Sequence, residues 1–385
     1  MKAVLRREMR RIVTRPLEPL LLAVLPALAL AFTWAIFSAG LPRELPVAVV
    51  DQDHSRLSRQ LVRMIDATPT VRVAERPADP KAAEELVLAG RVYAYVLLPE
   101  GLERGVKRGQ AEPVVAYTNA QLLVPASLVR RDLLAATSTL SAGIKLRRLR
   151  AAGETEASAR VRFEPVRADV HALFNPQLNY VSYIFVALFP TLLHVFVLLA
   201  AVNSVGSELR EGTAGEWLDT AGGSVTRALA GKLLPSTVAF LAVAAVAMGV
   251  LFGFAGVPLR GSRALLLLGT LLFVLAYQAT GVLIVALFAN LRFATSVAAF
   301  LASPAFAYAG ITFPTMGMPA FARLWGALLP LTHYLKLLVD QSMKGAPAAV
   351  SAPSLLALLA FVVAAPLLAW PRRRVFGDPR YWGKR

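Results

Sequence analysis

The chain has no cysteine among its 385 residues. That absence excludes disulfides, thiolate metal sites and thiol redox chemistry. Charge is also sparse: Asp, Glu, Lys and Arg together make up 17% of the residues, and acids number 24 against 41 bases. No G-x-S-x-G, H-E-x-x-H or C-x-x-C motif occurs, so these nucleophile, zinc and dithiol signatures are missing. The nearest approach to a phosphate loop is Gly231-Lys232. There, Leu233 stands where Ser or Thr would hold magnesium, and Thr226 occupies the position of the first glycine. The phosphate cradle and the metal ligand are both lost, so this chain is not expected to hydrolyse ATP. Asp51, Asp53 and His54 form the one acidic cluster with a histidine. They follow an apolar stretch and precede Ser55, a pattern that reads as a turn satisfying local amides. No catalytic or metal site is expected.

What the chain has instead is uncharged length. Between Lys or Arg and Asp or Glu, charge is absent over 19–42, 170–207, 233–259, 264–291, 293–322 and 345–371. A helix needs about 20 apolar residues to cross a hydrocarbon core of about 30 Å. Six such runs predict a polytopic α-helical membrane protein with six transmembrane helices. The first run is too long for the h-region of a cleaved signal peptide, about 7–15 residues.

The net charge of +17 is placed as a topology signal rather than a nucleic-acid footprint. Lys2, Arg6, Arg7, Arg10, Arg11 and Arg15 precede the first run, and Arg372, Arg373, Arg374, Arg380, Lys384 and Arg385 follow the last. Cytoplasmic flanks collect Lys and Arg. Six spans bring both termini to one side, so both are expected in the cytoplasm, with Arg260 and Arg263 left as external exceptions. The expected organisation is a cytoplasmic segment 1–16, span one at 17–42 and an extracytoplasmic domain at 43–172. A five-span membrane domain at 173–371 follows, with a cytoplasmic loop at 204–232, and a basic cytoplasmic tail covers 372–385. Val4, Leu5, Met9, Ile12 and Val13 suit an amphipathic helix lying on the cytoplasmic leaflet; a solvated basic flank fits the same residues.

The extracytoplasmic segment alternates strands and helices. Strands are expected at Leu45–Val50, Val71–Glu75, Arg91–Leu98 and Pro113–Tyr117. Helices are expected at Ser55–Ile65, with Ser55 as N-cap, at Asp79–Ala89 and at Pro125–Arg150. Such alternation argues a small α/β domain. The charged, small-residue stretch Ala151–Arg160 then leads back to the membrane.

Inside the apolar runs, His194, Asn203 and Gln278 are the polar groups deepest in apolar sequence, and Thr280 joins them as a candidate. Polar side chains at that depth face the bundle interior or a cavity. Hydrogen bonding between helices is their ordinary role, and lining a substrate path is the alternative. Pro190 should kink its span. The fifth run is expected to break at Phe313–Pro319, where two prolines and a glycine interrupt the helix. Phe321–Lys336 is then too short to cross, and 312–336 is expected to be an external re-entrant region. Pro314, Pro319, Phe321 and Tyr334 are its candidate gate residues.

The sequence from Glu208 to Thr220 holds four acids, one base and a tryptophan. An acidic stretch in a basic protein suggests a partner surface, and Trp217 is costly to leave in water. Glu208–Trp217, closed by Gly231-Lys232-Leu233-Leu234-Pro235, resembles the E-R-E-x-G-T signature and following G-K-x-x-P of ABC-2 type permeases. The resemblance continues in Leu45–Asp53, in Phe174-Asn175-Pro176 at the return to the membrane, and in Leu329–Leu335 ending at Lys344-Gly345. It covers nearly the whole chain. Leu209-Arg210 replaces the common Arg-Glu, and Ala221-Gly222-Gly223 replaces a frequent Thr-Pro.

The resemblance, to the drug and siderophore exporter branch with a large external domain, implies the permease subunit of an ATP-binding cassette exporter in the bacterial inner membrane. Its cargo would be a small hydrophobic or amphipathic compound taken from the cytoplasm or inner leaflet. ABC-type ATPase subunits, which bind ATP and magnesium, would dock on Glu208, Arg210, Glu211, Gly212, Thr213, Glu216 and Trp217. A second permease copy or a related permease would complete the pore, and a periplasmic adaptor protein is a further partner the resemblance allows. An ATPase-independent membrane anchor or surface receptor of the same topology is the alternative reading.

Overall fold

In the computed structural model, residues 2–153, 173–175 and 179–383 are described. Helix α1 (Lys2–Thr14) buries Val4, Glu8 and Arg11, a stripe at i, i+4 and i+7. Its buried face is therefore partly charged, unlike that of a helix resting on lipid. Helix α2 (Leu17–Phe37) is 21 residues long, about 31 Å at 1.5 Å per residue, which matches one bilayer crossing.

Leu41–Leu178 forms a unit of its own. Its described part runs β1 (Leu45–Asp51), α3 (Arg56–Asp66), β2 (Val71–Glu75), α4 (Pro80–Leu88), β3 (Ala94–Leu98), α5 (Leu102–Arg108), β4 (Val115–Thr118) and α6 (Leu123–Ala151). The sheet order is β2-β1-β3-β4, with β1 parallel to β2 and β3 and β4 antiparallel at the edge. Val47 and Val49 of β1 face a core with Leu61, Ile65 and Leu128. Ala48 and Val50 face a second one with Ala83 and Tyr95. A central parallel strand covered on both faces has to be apolar throughout, which explains the unalternated Val47–Val50. Ser55 caps α3 as expected, accepting from Ser58 N at 3.0 Å. Asp51 Oδ1 accepts from the amides of Asp53 and His54 at 3.1 and 3.0 Å, the turn role expected there. Helix α5, held between Gly101 and Gly109 in left-handed conformation, is absent from the sequence reading.

Met1–Gly40 and Asn179–Arg385 form the other unit. Helix α7 (Val181–Glu211) is followed by α8 (Ala214–Thr220), α9 (Val225–Phe254) and α10 (Arg263–Phe288). Then come α11 (Leu291–Ala302), α12 (Ala305–Tyr308), α13 (Ala320–Ala327), α14 (Pro330–Val339) and α15 (Ala348–Ala369), which tightens into a 3₁₀ turn over Trp370–Phe376. Among the described residues, five segments are long and apolar enough to cross a membrane: α2, α7, α9, α10 and Ala348–Phe376. Helices α7 and α10 approach closely at Gly281, where an added Cβ would lie 2.8 Å from the Ala201 Cβ. Small residues allow such contact where lipid offers no hydrophobic drive.

The expected fifth span departs from prediction. Its helix ends at Ala302, and Ser303-Pro304 divides it from α12, so the first break lies before Phe313–Pro319. Pro304 has no N–H to continue the ladder. Leu291 packs beside Gly206 of α7, and Ile311 O accepts from Tyr183 at the other end of α7, at 3.3 Å. Residues 291–311 thus run the length of α7 as a broken helix. The expected re-entrant element is two helices, α13 and α14. The ends of Ala151–Arg160 and of the tail (Lys384, Arg385), and Pro176, lie outside the described residues.

At the end of the bundle away from α8, Asp340–Lys344 forms a π turn. Asp340 is 1% exposed and receives Lys336 and Lys344 at 2.7 and 2.8 Å. Gln341 O accepts from Gly261 N at 2.8 Å, and its Oε1 accepts from Ser262 N at 2.7 Å, tying this turn to the α9–α10 connection. Burial opposes ionisation of Asp340, but the two lysine bonds outweigh it and hold the carboxyl below its ordinary value of 3.8. A carboxyl with a lowered folded pKa contributes stability above its unfolded pKa and loses it as pH falls through the folded one. Thermal unfolding in detergent should therefore show wild type more stable than Asp340→Asn at pH 6. The gap should close as the pH drops below about 3.8; a gap unchanged down to pH 2.5 would rule out the clamp.

Candidate functional site

Helices α7 and α9 have 31 and 30 residues, each about 45 Å long against a hydrocarbon core of about 30 Å. The surplus lies where α7 ends and α9 begins. The signature Glu208 sits on the last turn of α7 and is fully buried. Its carboxylate receives Arg7 at 2.7 and 3.0 Å, Arg11 at 2.5 Å and Lys232 at 2.7 Å, together with the Thr213 hydroxyl. Lys232, 1% exposed, also binds Glu8 at 2.8 Å. Arg11 reaches Ser207 and lies 3.8 Å from Glu18. Three cations (Arg7, Arg11, Lys232) thus face three carboxylates (Glu8, Glu18, Glu208), and the cluster is neutral. At its rim Arg15 pairs with both oxygens of Glu211 at 2.6 Å. The hydrogen bonds to Glu208 and Glu211 raise the Arg7 and Arg15 pKa values further above the usual guanidinium range.

Sequence spacing builds this cluster. Arg7, Arg11 and Arg15 recur every four residues and share one face of α1 and its extension, while Glu208 and Glu211 share one face of α7. The last turn of α7 also carries the negative end of its dipole, which favours cations. Gly212 then ends α7 with φ +73°, a left-handed C-cap that glycine adopts without a Cβ penalty. The next turn starts α8.

Trp217 of α8 is fully buried. Its Nε1 donates to Ala228 O at 3.3 Å, Lys232 Nζ lies 5.5 Å from its ring, and Phe376 packs edge-on at 6.1 Å. The C-terminal tail closes on the same place: Gly383 N donates to Leu209 O at 2.8 Å, and the Trp382 ring covers Gly215. Glu208 and Trp217 therefore cannot serve as direct contacts for a partner in this conformation. They face inward because one is a charge with internal partners and the other a large ring with a filled socket. Arg210, Glu211, Gly212 and Glu216 are exposed, and Thr213 is half-buried.

The expected path residues are not brought together. Gln278 Oε1 accepts from Thr237 at 2.8 Å, and its Nε2 donates to Ser236 at 3.0 Å, so it joins α10 to α9. Asn203 donates to Glu18 at 3.5 Å, and Thr280 bonds its own helix at Ala276 O at 2.8 Å. His194 is fully buried, 4.8 Å from the Tyr277 ring. Among the expected gate residues, Pro314, Pro319 and Phe321 are exposed. Tyr334 is not at a surface: it is 4% exposed, its hydroxyl lies 2.9 Å from that of Thr270, and it stacks on Phe273 at 4.3 Å. Facing the bundle core in α14, it cannot act as an outer lid.

Sequence reasoning missed Glu8, Arg7, Arg11 and Lys232 as site residues. The signals were present: Glu8 is the one acid within a basic segment, and Lys232 borders the uncharged run 233–259.

The sequence profile described as ABC-2 family transporter protein matches residues 20–370. The chain belongs to the ABC-2 family. Membership makes it the membrane-embedded permease subunit of an ABC transporter, a class that is generally not catalytic and partners with ABC ATPase subunits. No curated protein matches the chain.

Removing one partner of a buried ion pair leaves an uncompensated charge and costs about 3–5 kcal/mol. Lys232→Met in this permease should lose stability on that scale in detergent unfolding. Combining it with Glu8→Leu should cost clearly less than the sum of the two single changes, because both lose the same contact. Strict additivity would show that the two side chains are not coupled.

Proposed function

We propose that this permease works as an exporter, moving a small hydrophobic or amphipathic compound out of the cytoplasm or the inner leaflet of a bacterial inner membrane. The observation that carries this reading is the meeting of α1, the end of α7, the start of α9 and the C-terminal tail around Glu208 and Trp217. A partner seated on the exposed side of that junction has mechanical access to both helices at once. The partner is an ABC ATPase that binds ATP and magnesium. Its dock is the exposed rim of Arg210, Glu211, Gly212, Glu216 and Asp219, with Glu208, Thr213 and Trp217 stiffening the rim from behind. Two permease copies, or this chain and a related one, enclose the path.

The same reading has six crossings. The α11–α12 pair supplies the fifth: residues 291–308 amount to about 27 Å of helix, close to the hydrocarbon thickness. Both termini are then cytoplasmic, residues 41–178 lie on the outer face, and the basic ends obey the positive-inside rule.

Glu216→Lys together with Asp219→Lys reverses the rim charge without touching a buried contact. The double variant should insert and fold like wild type yet lose the ATPase in a pull-down, by at least about tenfold. Stoichiometric recovery of the ATPase would remove the rim from the dock. For topology, protease added to intact spheroplasts should cut within 41–178 and spare tags at both termini. Loss of either tag would overturn the six-crossing arrangement.

A further inference from the structure

Three helices of the bundle leave an open groove of about 650 Å³ between them, within the range of small-ligand sites. Its walls are Leu229 and Leu233 of α9, Leu275 and Ala279 of α10, and Val363 and Leu367 of α15. Its contact with α9 extends from Val225 to Thr237, about 18 Å along that helix. One leaflet of the hydrocarbon core is about 15 Å deep, so the groove covers the depth of a single leaflet.

The two ends of the groove differ. The deep end is apolar apart from Gln278 and Thr237, whose hydrogen bonds are already made. The shallow end is basic. Arg373 lines it, half-buried, with its guanidinium 4.4 Å over the Trp370 ring and one N–H donated to Trp370 O at 3.2 Å. Arg372 and Arg374 flank it and are exposed. Among the described residues, none of these three arginines pairs with a carboxylate, in contrast to Arg7, Arg11 and Arg15. Trp370, 49% exposed, is the amphipathic ring expected at a membrane interface.

From this arrangement, we propose that the groove is a lipid site, holding an acyl chain of an anionic membrane phospholipid whose phosphate is bound by Arg373. Length and apolarity select an acyl chain, and the arginine cluster at the interface, without carboxylate partners among the described residues, selects an anionic head over a zwitterionic one. The site is separate from the Glu208 cluster. It depends on the chain being membrane-embedded but not on export or on ATPase docking, so its test stands apart from theirs.

The purified permease is reconstituted in vesicles carrying phospholipid brominated on its acyl chains, either phosphatidylglycerol or phosphatidylcholine at equal mole fraction. Quenching of Trp370 is read as the difference between wild type and Trp370→Phe. Brominated phosphatidylglycerol should quench this component with about fivefold higher apparent affinity, the factor expected for one arginine meeting an anionic head at the interface. Arg373→Gln should erase the preference, and Ala279→Phe, which fills the groove, should weaken quenching by either lipid. Equal quenching by the two lipids would overturn the proposal, as would a preference that survives Arg373→Gln. A second copy of the chain covering the groove would also overturn it. Because the chain has no cysteine, Val363→Cys reports that directly, by self-cross-linking.

Discussion

The structure of the membrane unit depends on one buried carboxylate. Glu208 has no exposure and accepts from Arg7, Arg11, Lys232 and Thr213. A charge taken from water at this site is tolerable only with its partners in place. Glu208 therefore dictates where three separate stretches of chain must be: the N-terminal helix, the end of α7 and the first turns of α9. Every later feature of the junction follows from that demand. Gly212 can turn the chain because α7 is fixed up to Glu208. Trp217 can fill its socket because Lys232 and Ala228 are held beneath it.

The bundle is secured differently along its length. At the loop end the fastening is ionic, and at the opposite end it is Gln341, whose backbone and side-chain oxygens bond the α9–α10 connection. Between these ends, helices surrounded by lipid gain little from burying apolar side chains against one another. There the contacts are small-residue approaches such as Gly281 on Ala201 and hydrogen bonds such as Gln278 to Thr237 and Ser236. Gln278 and Tyr334 illustrate the consequence. Each was a natural candidate for a path or a gate, and each is occupied in holding two helices together.

Much of this was legible in the sequence, for physical reasons that differ by element. Five of the six apolar runs correspond to helices long and apolar enough to cross a membrane, since a span has a length set by the bilayer, and the run 293–322 does not. The strand–helix alternation in 45–118 had to give a sheet, and the unalternated Val47–Val50 marks its central strand. The acidic stretch stood out because acids are scarce, and its order with Gly231-Lys232 carried the family. What could not be read was the pairing across long separation. Arg7 to Glu208 bridges 201 positions and Lys232 to Glu8 bridges 224, and no local periodicity encodes a partner that distant. The same limit explains Trp217. Its cost in water was plain, but an internal socket and a partner's pocket would relieve it equally. Pro304 was a different failure: the break was expected only at Phe313–Pro319, although one missing N–H is enough to divide a helix.

The inward turn of Glu208 and Trp217 changes what coupling must mean for this permease. Had they been exposed, the loop could act as a flexible tether, its side chains docking independently of the helices behind them. Buried, they make α8 continuous with α7, α9, α1 and the tail, so a force on the exposed rim is met by the whole junction. Packed interiors do not deform gradually; they hold one arrangement or change to another. Displacement of the rim would then move the ends of α7 and α9 together rather than bend the loop alone.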